Sequence, residues 1–235
     1  MDAPIPLRDP MVPRLYLVAA RAAFDRDGDW LDAIARVARA AWVHRALPLG
    51  FQVRIESATG VERLALEALA RIRAAGRGMI AYLNAAALDA AAAPASALGY
   101  DGVHWPERRI PDAPSTGTPA HAPAATAFPC AASVHSPAGL QRAERAGARF
   151  ALFGPVWAPA WKPAEPQGVN ALGELVRVAR IPVLAIGGID PERAGECLRA
   201  GAAGVAVVTG VFGAPEAGAA VERYAAALGP ARAST

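Results

Sequence analysis

Lysine is almost missing from this chain: 235 residues hold one, Lys162, beside 23 arginines. No basic tail exists, and the 24 basic groups are interspersed with 21 acidic ones for a net charge of +3. That excludes the concentrated electrostatic footprint of a nucleic-acid binder. Cysteine is scarce too. Cys130 and Cys197 stand far apart and belong to no CxxC pattern, and no HExxH occurs. A disulfide framework and the common zinc motifs are excluded, and the two thiols suit a reducing compartment. No metal site is expected. Apolar runs of 18 residues without charge, Pro or Gly are also lacking, so no membrane span is expected. The opening MDAPIPLRDPMVP has no apolar core of a signal peptide, and the reading expects a cytoplasmic chain.

What the chain does have is apolar residues in short runs. Hydrophobic residues make up 54% of the sequence, enough for a single core at this length. RLYLVA (14–19), FQVRIE (51–56), GMIAYLN (78–84), YDGVH (100–104), CAAS (130–133), ARFALFG (148–154), IPVLAIGG (181–188) and GVAVVTG (204–210) read as eight strands. Helical periodicity falls between them at 30–45, 58–75, 85–98, 137–146, 170–179, 191–200 and 216–227. Strand runs that are apolar throughout and separated by helices predict a parallel sheet buried on both faces. Eight such units close into an α/β fold of the (β/α)8 TIM-barrel type, one domain over 14–228 with a flexible segment at 1–13 and a tail at 229–235. The competing doubly wound sheet lacks its dinucleotide fingerprint: AARAAFDRDGD, not GxGxxG, follows the first strand. Six prolines between 106 and 129 break the rhythm. A loop of that length in a compact domain is a lid or a disordered excursion, here with room for one helical turn.

Some positions carry chemistry on the barrel reading alone. His135 follows the fifth strand, on the face where barrel active sites gather, and its pKa suits proton transfer. A helix cap or a rim contact is the plainer account of the same residue. Gly187 and Gly188 end the seventh strand, and Val208 and Thr209 the eighth. Backbone N–H groups there can cradle a phosphate without a basic side chain. Asp190-Pro191 is also an ordinary helix start. Arg54 would cross the mouth from the second strand, with Gln52 on the same side by the two-residue period, unless Glu56 simply pairs with Arg54. Ser133 and Ser136 flank His135, as partners of the ring or of substrate. Asn84 is a substrate contact or a helix cap. His104 reads as a rim or core residue. Trp105, Trp157 and Trp161 stack on a flat ligand or anchor loops.

SVHSPAGLQRAERAGARFALFGPVWAPAWKP followed by IPVLAIGGIDPERAGECLRAGAAGVAVVTGVF resembles the thiamine phosphate synthase superfamily. The similarity runs from about 14 to 213 and is weak from 84 to 129. One branch of that superfamily joins a pyrimidine diphosphate to a thiazole phosphate. The TenI-like branch isomerises the thiazole phosphate first. The resemblance implies a small-molecule thiazole phosphate substrate, no organic cofactor, and in many members a homo-oligomer. For His135 in SVHS it implies the acid/base of the tautomerase branch. For residues 187–188 and 208–209 it implies the phosphate site.

Three positions depart from the synthase pattern. Its strand-end Q-x-R-E-K reads Gln52-Val53-Arg54-Ile55-Glu56 here, so the diphosphate-binding lysine has become an acid. Its N-D pair reads Asn84-Ala85, without the magnesium-binding aspartate. The second magnesium aspartate, shortly after GVH, is replaced at Arg109 or a neighbour in GVHWPERR. Lys162 matches the lysine that closes the family's T-x-T-K run, while Pro159 and Trp161 replace its threonines. The resemblance therefore favours the TenI-like tautomerase, with His135, Arg54 and Lys162 as the working side chains. A diverged synthase and a non-catalytic binder of thiazole or thiamine phosphate are the alternatives. Another phosphate-binding barrel enzyme would need catalytic carboxylates, for which only Glu56 and Asp101 are candidates.

Overall fold

Side chains alternate along each strand, and the alternation decides the architecture. In the computed structural model, which describes residues 9, 11–44, 47–56, 60–76, 78–84, 92–112, 128–159 and 164–229, eight parallel strands close into one barrel. They are β1 (Leu15–Ala20), β2 (Leu49–Arg54), β3 (Ile80–Asn84), β4 (Gly102–Trp105), β5 (Cys130–Val134), β6 (Ala151–Phe153), β7 (Val183–Ile186) and β8 (Gly204–Val207). Each pairs with the next, and β8 returns to β1 through Leu17 opposite Val207. The helices are α1 (Asp27–Val43), α2 (Val61–Ala75), α3 (Ala92–Ala97), α4 (Pro137–Arg145), α5 (Gly168–Val178), α6 (Pro191–Arg199), a single turn α7 (Thr209–Phe212) and α8 (Ala217–Leu228).

Leu15, Leu17, Phe51, Val53, Ala81 and Leu83 face outward under the helices, where α1 buries Trp30, Ile34, Val37, Ala38 and Ala41 along one stripe. Tyr16, Val18, Tyr82, Phe150, Leu152, Leu184 and Ala206 fill the interior. Tyr16, Tyr82 and Phe150 meet edge to face, with ring centroids 5.3 to 6.0 Å apart. Val12 packs below them, and the Tyr82 hydroxyl donates to the Met11 carbonyl at 3.1 Å. The N-terminal end of the barrel is thus plugged, and the C-terminal end is left to hold a ligand. Asp9 pairs with Arg149 at 2.9 Å.

The eight strands and the barrel agree with the sequence reading, with shifted bounds. The run read as a strand to residue 210 leaves the sheet at Val207. Its ladders with β7 and β1 end at Ala206 and Val207, although β1 itself runs on to Ala20, and the chain turns into α7 at Thr209. The proline-rich stretch opens with a 3-10 turn at Glu107–Arg109. Its portion 113–127 lies outside the described residues, as do most of the N-terminal segment, residues 230–235, residues 85–91 of the expected third helix, Trp161 and Lys162. No helix among the described residues is long and apolar enough to cross a membrane.

Candidate active site

The strand ends open on a cavity of about 860 Å³, within the range of small-molecule sites. His135 stands on its wall. β5 ends one residue earlier, and the next residue, Ser136, caps α4 by accepting the Gly139 N–H at 3.0 Å. Pro137 fits the first helical turn. His135 is therefore held between a strand and a capped helix. Its backbone N–H donates to Glu107 Oε2 at 2.7 Å, and its Nδ1 lies 2.6 Å from the Gly154 carbonyl oxygen. A carbonyl can only accept, so Nδ1 carries the proton and Nε2 keeps the basic lone pair. Gln167 Nε2 donates to the same carbonyl at 2.9 Å. Residue 154 has to be glycine, because a Cβ there would fall on the Ile186 carbonyl.

Gly187 and Gly188 turn the chain at φ +102° and +59°, in the left-handed region that favours glycine. Added Cβ atoms would lie 2.5 Å from Pro155 Cβ and 2.7 Å from Trp157 Cβ. The loop after β6 is laced to this turn by Val156 N–H to Ile186 O at 2.9 Å and Trp157 N–H to Gly187 O at 3.1 Å. Asp190 caps α6 through the Arg193 N–H at 2.8 Å, and the Arg193 side chain donates to the Gly188 carbonyl at 2.7 Å. Its guanidinium also stacks 5.2 Å above the Trp157 ring, which makes that tryptophan a loop anchor. Val208 and Thr209 complete this side of the cavity.

Opposite lie the ends of β2 and β3. Arg54 Nε is 2.7 Å from Glu56 Oε1, both about one-third exposed. Asn84 lines the cavity and donates from Nδ2 to Gln52 Oε1 at 3.0 Å. Gln52 is buried one step down the barrel and supports Asn84 from below. Ser133 Oγ lies 2.9 Å from His104 Nε2. His104 is fully enclosed, and burial, with the Arg54 charge adding to it, pushes its pKa down to about 3. It is a neutral core residue. Neither serine beside His135 touches its ring: one bonds His104 and the other caps a helix.

Arg54, Asn84, Ser133, His135, Gly187, Gly188, Val208 and Thr209 thus share one cavity, while Gln52 and Ser136 serve the scaffold behind it. Of the arginine pair in GVHWPERR, Arg108 is the one that lines the cavity. Glu107 and Gln167 escaped the sequence reading, because their partners lie 28 and 13 residues away. The magnesium implied for the synthase branch finds no fitting donor set among the described residues. Glu56 faces Arg54, Glu107 takes the His135 N–H, and Asp190 caps α6. No group of three or more His, Cys, Asp and Glu side chains among those residues converges on one point.

A closed parallel barrel with its ligand cavity at the C-terminal mouth defines a (β/α)8-barrel protein of the small-molecule-binding kind. The profile of the thiamine monophosphate synthase family (TMP-TENI) matches residues 16–211, and the chain belongs to that family. A Symbiobacterium thermophilum protein named thiamine biosynthesis bifunctional protein ThiM/ThiE is 39% identical over 160 residues, 66% of this chain and 31% of the relative. A Roseiflexus thiamine-phosphate synthase is 41% identical over 93 residues, 39% of each chain. The chain therefore spans about one-third of the length of these relatives. The solved thiamine phosphate pyrophosphorylase from Pyrococcus furiosus superposes with a TM-score of 0.69 at 22% identity, covering 94% of this chain and 97% of that one. At that identity the likeness speaks for the fold.

Proposed function

We propose that the chain binds a thiazole phosphate at the barrel mouth and shifts a proton on it with His135. That is the tautomerase chemistry of the TenI-like branch. The observation that carries the reading is the bond between His135 Nδ1 and the Gly154 carbonyl, which leaves Nε2 as a base on the cavity wall. The phosphate sits on the backbone of Gly187, Gly188, Val208 and Thr209. Lys162, outside the described residues, is the resemblance's candidate for a compact ammonium on the anion. Arg108 takes the ring carboxylate, since Arg54 is already matched by Glu56. Nε2 removes the proton from C2 of the dihydrothiazole, and the ring electrons shift toward the exocyclic carbon. The same nitrogen returns the proton there, leaving an aromatic carboxythiazole phosphate and a neutral imidazole. Proton transfer of this kind contributes about 10²- to 10⁴-fold. Incubating the purified chain with the ylidene tautomer, beside His135→Ala, tests the role. Equal turnover by both proteins would remove His135 from the reaction.

The names of the relatives favour a second reading, a thiamine phosphate synthase with a rebuilt diphosphate site. Its leaving group needs charge neutralisation, for which the mouth offers Arg54 and Arg108 instead of metal-binding carboxylates. Formation of thiamine phosphate from pyrimidine diphosphate and thiazole phosphate, assayed with and without magnesium, distinguishes the two.

A further inference from the structure

We infer that Glu107 is a positioning residue for His135, acting through the backbone, and that Gly139 exists as glycine to admit its carboxylate. The inference rests on the proposed role of His135 and extends it to the loop after β4.

Three observations meet at Glu107. Its Oε2 accepts the His135 N–H at 2.7 Å. Its own carbonyl accepts from Arg142 of α4, which ties the 3-10 turn at Glu107–Arg109 to that helix. A Cβ on Gly139 would overlap Glu107 Oε1 and lie 2.8 Å from its Cδ. Gly139 is the third residue of α4, where a capping box carries a Glu whose side chain reaches back over the helix start. Here that position is empty of side chain, and the carboxylate arrives from another strand end. It sits at the positive end of α4 and fixes the residue before the cap. That residue is His135. Its ring meets the Gly154 carbonyl only while the backbone of 134–136 holds its place, and among the described residues Glu107 alone bonds the His135 N–H.

Two variants separate this role from a general loss of structure. Glu107→Ala deletes the carboxylate. Gly139→Ala leaves it in the chain but expels it, since the obstructing atoms end a flexible side chain, and alanine strengthens the helix. Both should have the same consequence by opposite chemical routes. Glu107→Gln keeps an oxygen acceptor and should recover most of what the alanine loses.

The experiment is long-range ¹H–¹⁵N spectroscopy of the full-length labelled chain above the pKa of histidine, with His135→Gln to assign the signals. The parent should show His135 protonated at Nδ1 alone. Glu107→Ala and Gly139→Ala should both show a mixture of tautomers, and Glu107→Gln the parent pattern. Turnover of the ylidene tautomer should fall about tenfold to a hundredfold in both alanine variants, the loss expected from a reacting group displaced by an ångström. It should fall in kcat more than in KM. An unchanged Nδ1–H signal in either alanine variant overturns the inference. The tautomer signal needs no substrate, so a parent without turnover refutes the proposed activity and leaves this test standing.

Discussion

Arg54 Nε and Glu56 Oε1 stand 2.7 Å apart at the lip of the barrel, on the last residue of β2 and the second residue beyond it. The family pattern has a lysine where Glu56 stands. A cation aimed at the ligand is therefore answered by an acid of the same chain, and the wall is close to neutral.

Glu56→Gln should release Arg54 toward the cavity. Binding of inorganic pyrophosphate, followed by calorimetry, is expected to tighten about three- to tenfold, the scale of one partly exposed charge-assisted contact. Unchanged affinity would mean that Arg54 does not reach the anion.

Arg108 tests the other wall. Arg108→Ala should raise KM for the carboxylated thiazole phosphate about tenfold, the scale of one lost contact to a charged group. The affinity for the thiazole phosphate without a carboxyl group should stay the same. A parallel loss for both ligands would assign Arg108 to the phosphate instead.

Gly188 combines φ +59° with a Cβ position 2.7 Å from Trp157 Cβ and 2.9 Å from the Ala158 carbonyl. Gly188→Ala should cost about 1–3 kcal/mol and weaken phosphate binding, because the two loops can no longer lie together. Gly28→Ala, in α1 with nothing within 4 Å of the new Cβ, is the control and should leave both properties intact or gain slightly in stability. Thermal denaturation and phosphate titration read both variants.

The barrel was legible because both faces of its strands are buried, so apolar runs and helical stripes alternate along the sequence. The glycine turn after β7 was legible for a related reason: Gly187 and Gly188 fall where a strand must end. The last strand is three residues shorter than its apolar run, since Val208 continues the run after the pairing has ended at Val207. Gln52 keeps the two-residue period with Arg54 yet sits below the cavity, because the period fixes the face and not the depth. Ser136 is read from the sequence as a partner of the His135 ring or of substrate, whereas its hydroxyl caps α4, a role that the following Pro137 favours. Glu107 left no trace because its significance is a contact across 28 residues, inside a proline-rich break that has no period to read.

His104 gives the barrel a sensitivity to acid. Burial pushes its pKa down to about 3 from 6.5, and the Arg54 charge adds to the effect. The folded ring stays neutral while the unfolded one takes a proton, so between those values the unfolded state binds more protons. The stability held by this group is complete above pH 6.5 and is lost as the pH falls toward 3. Urea midpoints should decline through that window, and His104→Gln should flatten the decline. An equal slope in both proteins would place the acid sensitivity elsewhere.

In the proposed reaction His135 moves the proton. Conversion of the ylidene tautomer to the aromatic carboxythiazole phosphate, followed by absorbance in the parent and in His135→Gln, tests it most directly. Steady conversion by the parent is expected, with a loss of about 10²- to 10⁴-fold in the variant and equal phosphate affinity in both. A parent that does not convert the tautomer, or a variant that converts it at the parental rate, contradicts it.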